Sequence, residues 1–179
     1  MHEDTWTCPG CGEAHRGLFD LACDRPDHWP GGAKPAANAA LDKSGDFLSE
    51  DFCVLDGTHY FVRCVLMLPV QGADGSFGYG VWSTLSEANF DAYVESFDGG
   101  EQGRLGPWFG WFSNALKGYP DTLNLKCRIH PHDGSRRPSI ELEPTEHPLA
   151  VAQRDGISFD KILDLYALNG HDIRPALSD

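Results

Sequence analysis

His59-Tyr-Phe-Val-Arg63-Cys-Val-Leu-Met-Leu-Pro-Val70 decides the fold. In an extended chain, alternate side chains face opposite sides. Tyr60, Val62, Cys64, Leu66 and Leu68 therefore share one face, and Phe61, Arg63, Val65 and Met67 share the other. Both faces are largely apolar, which marks a central strand. Upstream, Phe52 to Leu55 reads as a second strand, reversed into the first at Asp56-Gly57. Downstream, the chain turns between Gly72 and Ser76. It then returns as a strand over 77–85, with Phe77, Tyr79 and Val81 on one face.

The same reading extends to the C-terminus. Ser86 caps a helix whose Phe90, Tyr93, Val94 and Phe97 form one apolar stripe, ended by Gly99-Gly100. Pro107 to Leu116, with Trp108, Phe109, Trp111 and Phe112, reads as a helical or irregular core segment. Over 123–129, Leu123, Leu125, Cys127 and Ile129 point inward, while Asn124, Lys126, Arg128 and His130 point outward. Asp133-Gly134 turns the chain into a partner strand over 139–143, with Ile140 and Leu142 inward. A last helix opens at Ser158 and buries Phe159, Ile162, Leu163 and Tyr166. Strands and helices are grouped rather than alternating. The predicted class is α+β, a mostly antiparallel sheet with two or three helices and an N-terminal Cys knuckle.

A single domain over 1–179 is predicted: a Cys knuckle at 1–18, an irregular segment at 19–50 and an α+β core at 51–170. The irregular segment holds Pro26, Pro30, Gly31, Gly32 and Pro35, and is the part expected to be mobile. Hydrophobic residues make up 41% of the chain, enough for a sizeable core. The net charge is −13, concentrated in residues 1–100, which carry 16 acids against 5 bases. Such a field repels phosphate backbones, so no nucleic-acid partner is expected. No apolar run is long enough to span a membrane, and Arg63 interrupts the best. Met-His-Glu-Asp lacks the basic start and apolar stretch of a signal peptide. The expected setting is the cytoplasm, with no membrane partner.

The six cysteines are then metal ligands or buried thiols rather than disulfides. Cys8-Pro-Gly-Cys11-Gly, followed by His15, is half of a tetrahedral zinc site. Structural zinc takes four ligands. His15 can join from the same knuckle, Cys53 can be brought back by the fold, and Cys23 competes by distance along the chain. The predicted set is Cys8, Cys11, His15 and Cys53, holding structural zinc. Cys64 and Cys127 read as buried thiols.

A second candidate is the polar face of the hairpin. Lys126, Arg128, His130, His132, Arg136 and Arg137 fall within twelve residues, and such a ribbon can hold a carboxylate or phosphate. Glu141 and Glu143 on the opposite strand can instead neutralise it. A third is the turn Glu143-Pro-Thr-Glu146-His147-Pro148, where acid–base groups crowd together. Arg63, alone in an apolar strand, calls for a carboxylate partner. The candidate ligand-binding set is Arg63, Arg128, His130, Arg136, Arg137, Glu141 and His147. No catalytic residue is assigned. Trp82, Trp108, Trp111 and Phe112 are placed in the core. Two functions fit: a zinc-bearing binding or regulatory domain that takes a protein or a small anionic ligand, or a small metal-dependent or acid–base hydrolase-like enzyme using Arg63, His130, Glu141, Glu143 and His147.

Several strings carry a family resemblance. They are Cys8-Pro-Gly-Cys-Gly-Glu-Ala-His15, Phe61-Val-Arg63, Tyr79-Gly-Val-Trp82, Leu85-Ser-Glu-Ala-Asn-Phe90, Phe109-Gly-Trp111, Tyr119-Pro-Asp-Thr-Leu-Asn-Leu-Lys126 and Arg137-Pro-Ser-Ile-Glu-Leu-Glu-Pro-Thr-Glu-His-Pro-Leu-Ala150. In this order the chain resembles the DUF2199 family, a bacterial family of unknown function, from about Cys8 to Ile157. The resemblance implies a single domain and no activity. Residues 19–50 depart from the family's usual segment, so the resemblance does not support Cys23 as a ligand.

Overall fold

The computed structural model describes residues 5–8, 10, 12–32 and 35–177. Among them are ten strands and three α-helices. A small antiparallel hairpin comes first, β1 (Thr5–Thr7) and β2 (Ala14–Arg16), paired from Thr5↔Arg16 to Thr7↔Ala14. Residues 19–50 contribute short strands, β3 (Leu21–Ala22) and β4 (Phe47–Leu48), with one 3-10 turn at Asn38–Ala40 between them. The main sheet is built on β5 (Phe52–Leu55), β6 (His59–Pro69) and β7 (Ser76–Leu85). Between β5 and β6, Asp56 and Gly57 both take positive φ, 52° and 63°, as the mirror-image hairpin turn requires.

β6 and β7 pair antiparallel without interruption from Tyr60↔Leu85 to Pro69↔Ser76. Each outer edge of this hairpin is divided between two other segments. On β6, residues 59–62 pair with β5, and Val65 pairs in parallel with Ser139 of β10 (Ser139–Leu142). On β7, Tyr79 and Gly80 pair in parallel with β3. The remainder of that edge meets the residues just after β8 (Trp108–Trp111). Phe112 bridges Ser83, and Ser113 N donates to Trp82 O at 2.8 Å. β9 (Lys126–His130) pairs antiparallel with both β8 and β10, so the sheet curls back on itself through the order β7-β6-β10-β9-β8. Gly110 sits at the closure, where a Cβ would strike Ser83 Oγ.

The main core lies on the Val62, Cys64, Leu66 and Leu68 face of β6, with Cys127, Ile129, Ile140 and Leu142 from β9 and β10. α1 (Glu87–Phe97), capped by the Ser86 hydroxyl, adds Phe90 and Tyr93 to it. α2 (Pro148–Asp155) and α3 (Phe159–Leu168) complete it with Leu149, Ile162, Leu165 and Tyr166. A second, smaller cluster gathers Phe61, Trp82, Leu48, Cys53 and Leu55 on the opposite face. The α+β class, the mostly antiparallel sheet and three helices stand as predicted.

Several local expectations are corrected. Residues 108–111 form a strand, with Phe109 and Trp111 54% and 40% exposed rather than in the core. β9 starts only at Lys126, because Asn124 takes a positive φ of 64° and leaves Leu123 37% exposed. Phe159 is 37% exposed, and Leu165 is buried in α3 in its place. The turn over 143–147 leads into α2, an unexpected helix, with Pro148 in its first turn, where a missing N–H costs nothing. Among the described residues, no helix is long and apolar enough to cross a membrane.

Two outcomes follow from this packing. Gly110→Ala, which drives a methyl into Ser83, should lower unfolding stability by about 1–3 kcal/mol, read as a shift in the urea midpoint at constant m value. Cys64 and Cys127 are fully buried, and burial pushes the Cys127 thiol up to about 11 and Cys64 well above the ordinary thiol range. Both should resist thiol reagents at mild pH until the protein unfolds. Unfolded thiols ionise near pH 8.5, before the folded ones. The stability contributed by the buried thiols is therefore full below about pH 8.5 and is lost as pH rises toward the folded values, which alkaline denaturation curves measure.

Candidate metal centre

β1 and β2 hold the segment that carries Cys8 and His15. Cys8 N donates to Glu13 O and Gly12 N donates to Cys8 O, both at 2.8 Å, with Gly12 at φ 76°. The turn is docked on the end of α3. A Cβ at Gly10 would strike the Gly170 carbonyl oxygen, so only glycine lets the two backbones meet there. Cys11 lies outside the described residues.

The end of α3 explains what the turn meets. Gly170 takes φ 86°, its N–H donates to Ala167 O, and the His171 N–H donates to Tyr166 O at 2.8 Å. This pair of bonds ends a helix on a left-handed glycine and folds the following residue back along it. His171 is thereby aimed at the knuckle, and its Nδ1 stands 3.8 Å from Cys8 Sγ. Cys8, His15 and His171 each offer a donor atom, and the three atoms all lie within 4.8 Å of one another.

His15 is held by an aromatic stack. Its ring lies on Phe19, centroids 3.9 Å apart, and Phe19 lies on Tyr166 at 4.3 Å. The Tyr166 hydroxyl clamps the Phe19 backbone, accepting from its N–H at 2.8 Å and donating to its carbonyl at 2.6 Å. Beside this group opens a cavity of about 390 Å³, with His15 and His171 in its wall. Cys8 is fully buried. One thiol and two imidazoles form an N/S donor set that could hold a metal ion.

Cys53, predicted as a ligand, is not brought to this group. It sits on β5, fully buried with Leu48, Leu55, Phe61 and Trp82 on the face of the sheet away from the main core. Burial, aided by Asp46, pushes its thiol up to about 12. Cys23 lines the cavity but is not in the donor group. His171 takes the place given to Cys53. An Asn-Gly-His sequence after a helical stripe signals where the helix stops, but nothing local signals that the histidine meets a cysteine 163 positions away.

The other predicted residues are dispersed. Glu141 faces Arg128 across the β9–β10 pair and bonds His130 Nε2 at 2.8 Å, while Lys126 stands 4.0 Å from Glu143. Arg136 Nε donates to Asp133 O within its own turn. Arg137 Nε pairs with Asp51 at 2.8 Å, taking the carboxylate that Arg63 was expected to need. Arg63 instead reaches the Glu50 carbonyl at 3.4 Å, and its Nε is buried without a hydrogen-bond partner. Burial first, then the neighbouring Arg137 charge, depresses Arg63 below the usual arginine value. His147 caps α2: Nδ1 accepts from Leu149 N at 3.1 Å, and Nε2 donates to Pro120 O at 2.7 Å. Both ring nitrogens serve the backbone. Glu141 and Glu143 line one hollow together with Arg128, and Arg63, His130 and His147 are not in its wall.

The model of the family DUF2199, described as an uncharacterized protein conserved in bacteria, matches residues 7–157. That span includes Cys8, Cys11 and His15 and ends before His171. Comparison with curated proteins and with solved structures finds no match.

Tyr166→Phe removes both bonds of the clamp and leaves a Phe19 N–H and carbonyl to find new partners. The expected cost is about 1–3 kcal/mol of stability, measured by chemical denaturation.

Proposed function

The chain belongs to the DUF2199 family, and on that footing we propose that it is a zinc-bearing binding or regulatory domain whose zinc is structural. The convergence of Cys8, His15 and His171 carries this reading. Zinc binds thiolate sulfur at about 2.3 Å and imidazole nitrogen at about 2.0–2.1 Å, so tetrahedral angles put sulfur and nitrogen about 3.6 Å apart. The 3.8 Å between Cys8 Sγ and His171 Nδ1 is close to that edge. Cys11, at C-x-x-C spacing from Cys8, is the fourth ligand in this reading. Four protein ligands close the coordination sphere, which is the arrangement of a structural rather than a catalytic site.

The metal fastens the β1–β2 hairpin to the end of α3. Its binding free energy then becomes folding free energy for the two ends of the chain. The thiols of Cys23, Cys53, Cys64 and Cys127 are in no disulfide, which suits a reducing cytoplasm. Binding is favoured over catalysis because the acid–base groups Arg63, His130, Glu141, Glu143 and His147 are spread over the hairpin, the α2 cap and β6. The partner is a protein or a small anionic ligand. A net charge of −13 disfavours nucleic acid and anionic membrane surfaces.

Elemental analysis of purified protein should find about one zinc per chain. Cys8→Ser and His171→Ala should each lower both zinc content and melting temperature. Cys53→Ser should leave zinc content unchanged. Zinc-free protein with full stability would refute the reading, and zinc loss in Cys53→Ser would restore Cys53 as a ligand.

A further inference from the structure

Arg63 and Arg137 meet over one carboxylate. Val65 of β6 pairs in parallel with Ser139 of β10, and Val65 N donates to Pro138 O at 2.9 Å. Two positions back along each chain stand the two arginines. Both bond Asp51: Arg63 N donates to its carbonyl at 2.9 Å, and Arg137 Nε donates to its Oδ1 at 2.8 Å. Asn38 Nδ2 donates to the other carboxylate oxygen at 2.8 Å. The Asp51 side chain is thus engaged at both oxygens, neither of them by Arg63. Like charges side by side on adjacent strands repel, and Arg137 acts on Arg63 in that sense.

The Arg63 side chain is divided along its length. Its stem crosses Gly80, where a Cβ would stand 3.7 Å from Nε and 3.1 Å from the Ala22 side chain. Nε is sealed there and can serve no ligand. The tip differs: Nη1 makes one long bond, 3.4 Å to the Glu50 carbonyl, at the protein surface. Among the described residues no carboxylate reaches this tip at ion-pair distance. Asp24, exposed on the segment after β3, attracts it from farther away. Cys23 beside it is held neutral, burial and Asp27 pushing the thiol up to about 11. The Arg137 side chain is 37% exposed, and its bond at Nε leaves the Nη groups free among the described residues.

A half-buried charge without a partner is costly, and a bound anion would offset it. Two guanidinium forks on one anion suit a tetrahedral oxyanion, which has an oxygen for each, better than a planar carboxylate with two in all. Beside the pair lies a hollow of about 600 Å³, lined by Pro35, Ala36, Ala37, Asn38 and Glu50. It joins the pair through Asn38, bonded to Asp51, and Glu50, bonded to Arg63. The Glu50 and Asp24 carboxylates at the rim disfavour a second anionic group.

We propose that Arg63 and Arg137 bind the phosphate group of a small molecule, both guanidinium tips donating to its oxygens and an uncharged remainder lying in the hollow beside Asn38. This deepens the reading of a domain that takes a small anionic ligand, and rests on that reading but not on the metal.

The test is calorimetric titration of the full chain with inorganic phosphate and with a monoester, glycerol 3-phosphate, with zinc content measured on the same samples. At least one should bind saturably, raise the melting temperature and bind more weakly as salt rises. Tighter binding of the monoester assigns a small organic phosphate, and tighter binding of inorganic phosphate assigns the free ion. Arg63→Gln should weaken binding about tenfold or more, with zinc content kept and the melting temperature of the unliganded protein unchanged or higher. Asp24→Asn, at an exposed position, should tighten binding, and decides the matter if Arg63→Gln does not fold. The proposal is overturned by no saturable binding of either anion at about 10 mM, by equal affinity in Arg63→Gln, or by weaker binding in Asp24→Asn. A lower melting temperature in unliganded Asp24→Asn would show that Asp24 already serves Arg63, and would overturn it equally. Arg63-dependent binding in zinc-free protein would leave this site standing while the metal reading falls. Zinc without phosphate binding would do the reverse.

Discussion

The pairing of β6 with β7 is the constraint on which the rest depends. Ten consecutive register pairs, from Tyr60↔Leu85 to Pro69↔Ser76, make it the longest ladder in the molecule. Because side chains alternate along a strand, a slip of one residue would turn Val62, Cys64, Leu66 and Leu68 out of the core. The hairpin also organises its neighbours. Its two outer edges are each split, β6 between β5 and β10, and β7 between β3 and the residues after β8. A strand edge left bare would expose unpaired N–H and C=O groups. Dividing both edges this way closes the sheet and draws short segments, including the Pro- and Gly-rich stretch before β5, into the ladder.

That arrangement places the candidate metal centre. β3 lies on β7, so the preceding residues 12–20 run over the same end of the sheet that α3 covers. The stack His15, Phe19, Tyr166, with Phe77 of β7 edge-on to Tyr166, transmits position from the sheet to the imidazole. The Gly170 cap transmits it from α3 to His171. Gly10 lets the segments approach where a side chain would strike the Gly170 carbonyl, and Gly170 supplies the positive φ that ends α3. The centre is thus a consequence of packing between the chain's two ends and not of one motif.

The charged face of the hairpin shows the opposite behaviour. Lys126, Arg128 and His130 alternate outward as read, and Glu141 and Glu143 answer them across the ladder. These pairs are partly or largely exposed, where water competes and each contributes about 0–1 kcal/mol. Arg137 leaves the group for Asp51, and Arg136 folds onto its own turn. Like charges close in sequence thus find separate protein partners in the fold.

The sequence by itself determined the elements with strong local periodicity: the β6–β7 hairpin, the Ser86-capped α1, the alternation of β9 against β10 and the α3 stripe. It also determined two of the three donors of the candidate metal group, because Cys8 and His15 are neighbours in one knuckle. These features depend on residues a few positions apart, whose geometry the backbone period sets. The tertiary structure alone decided that residues 108–111 pair as a strand, since aromatic side chains suit a strand, a helix or a core loop until β9 offers an edge. It alone decided that Asp51 goes to Arg137 rather than Arg63, that Cys53 faces Trp82, and that His171 joins Cys8. Each of these is a meeting of residues distant in sequence, selected by which surfaces the closed sheet brings together, and no local pattern encodes that choice.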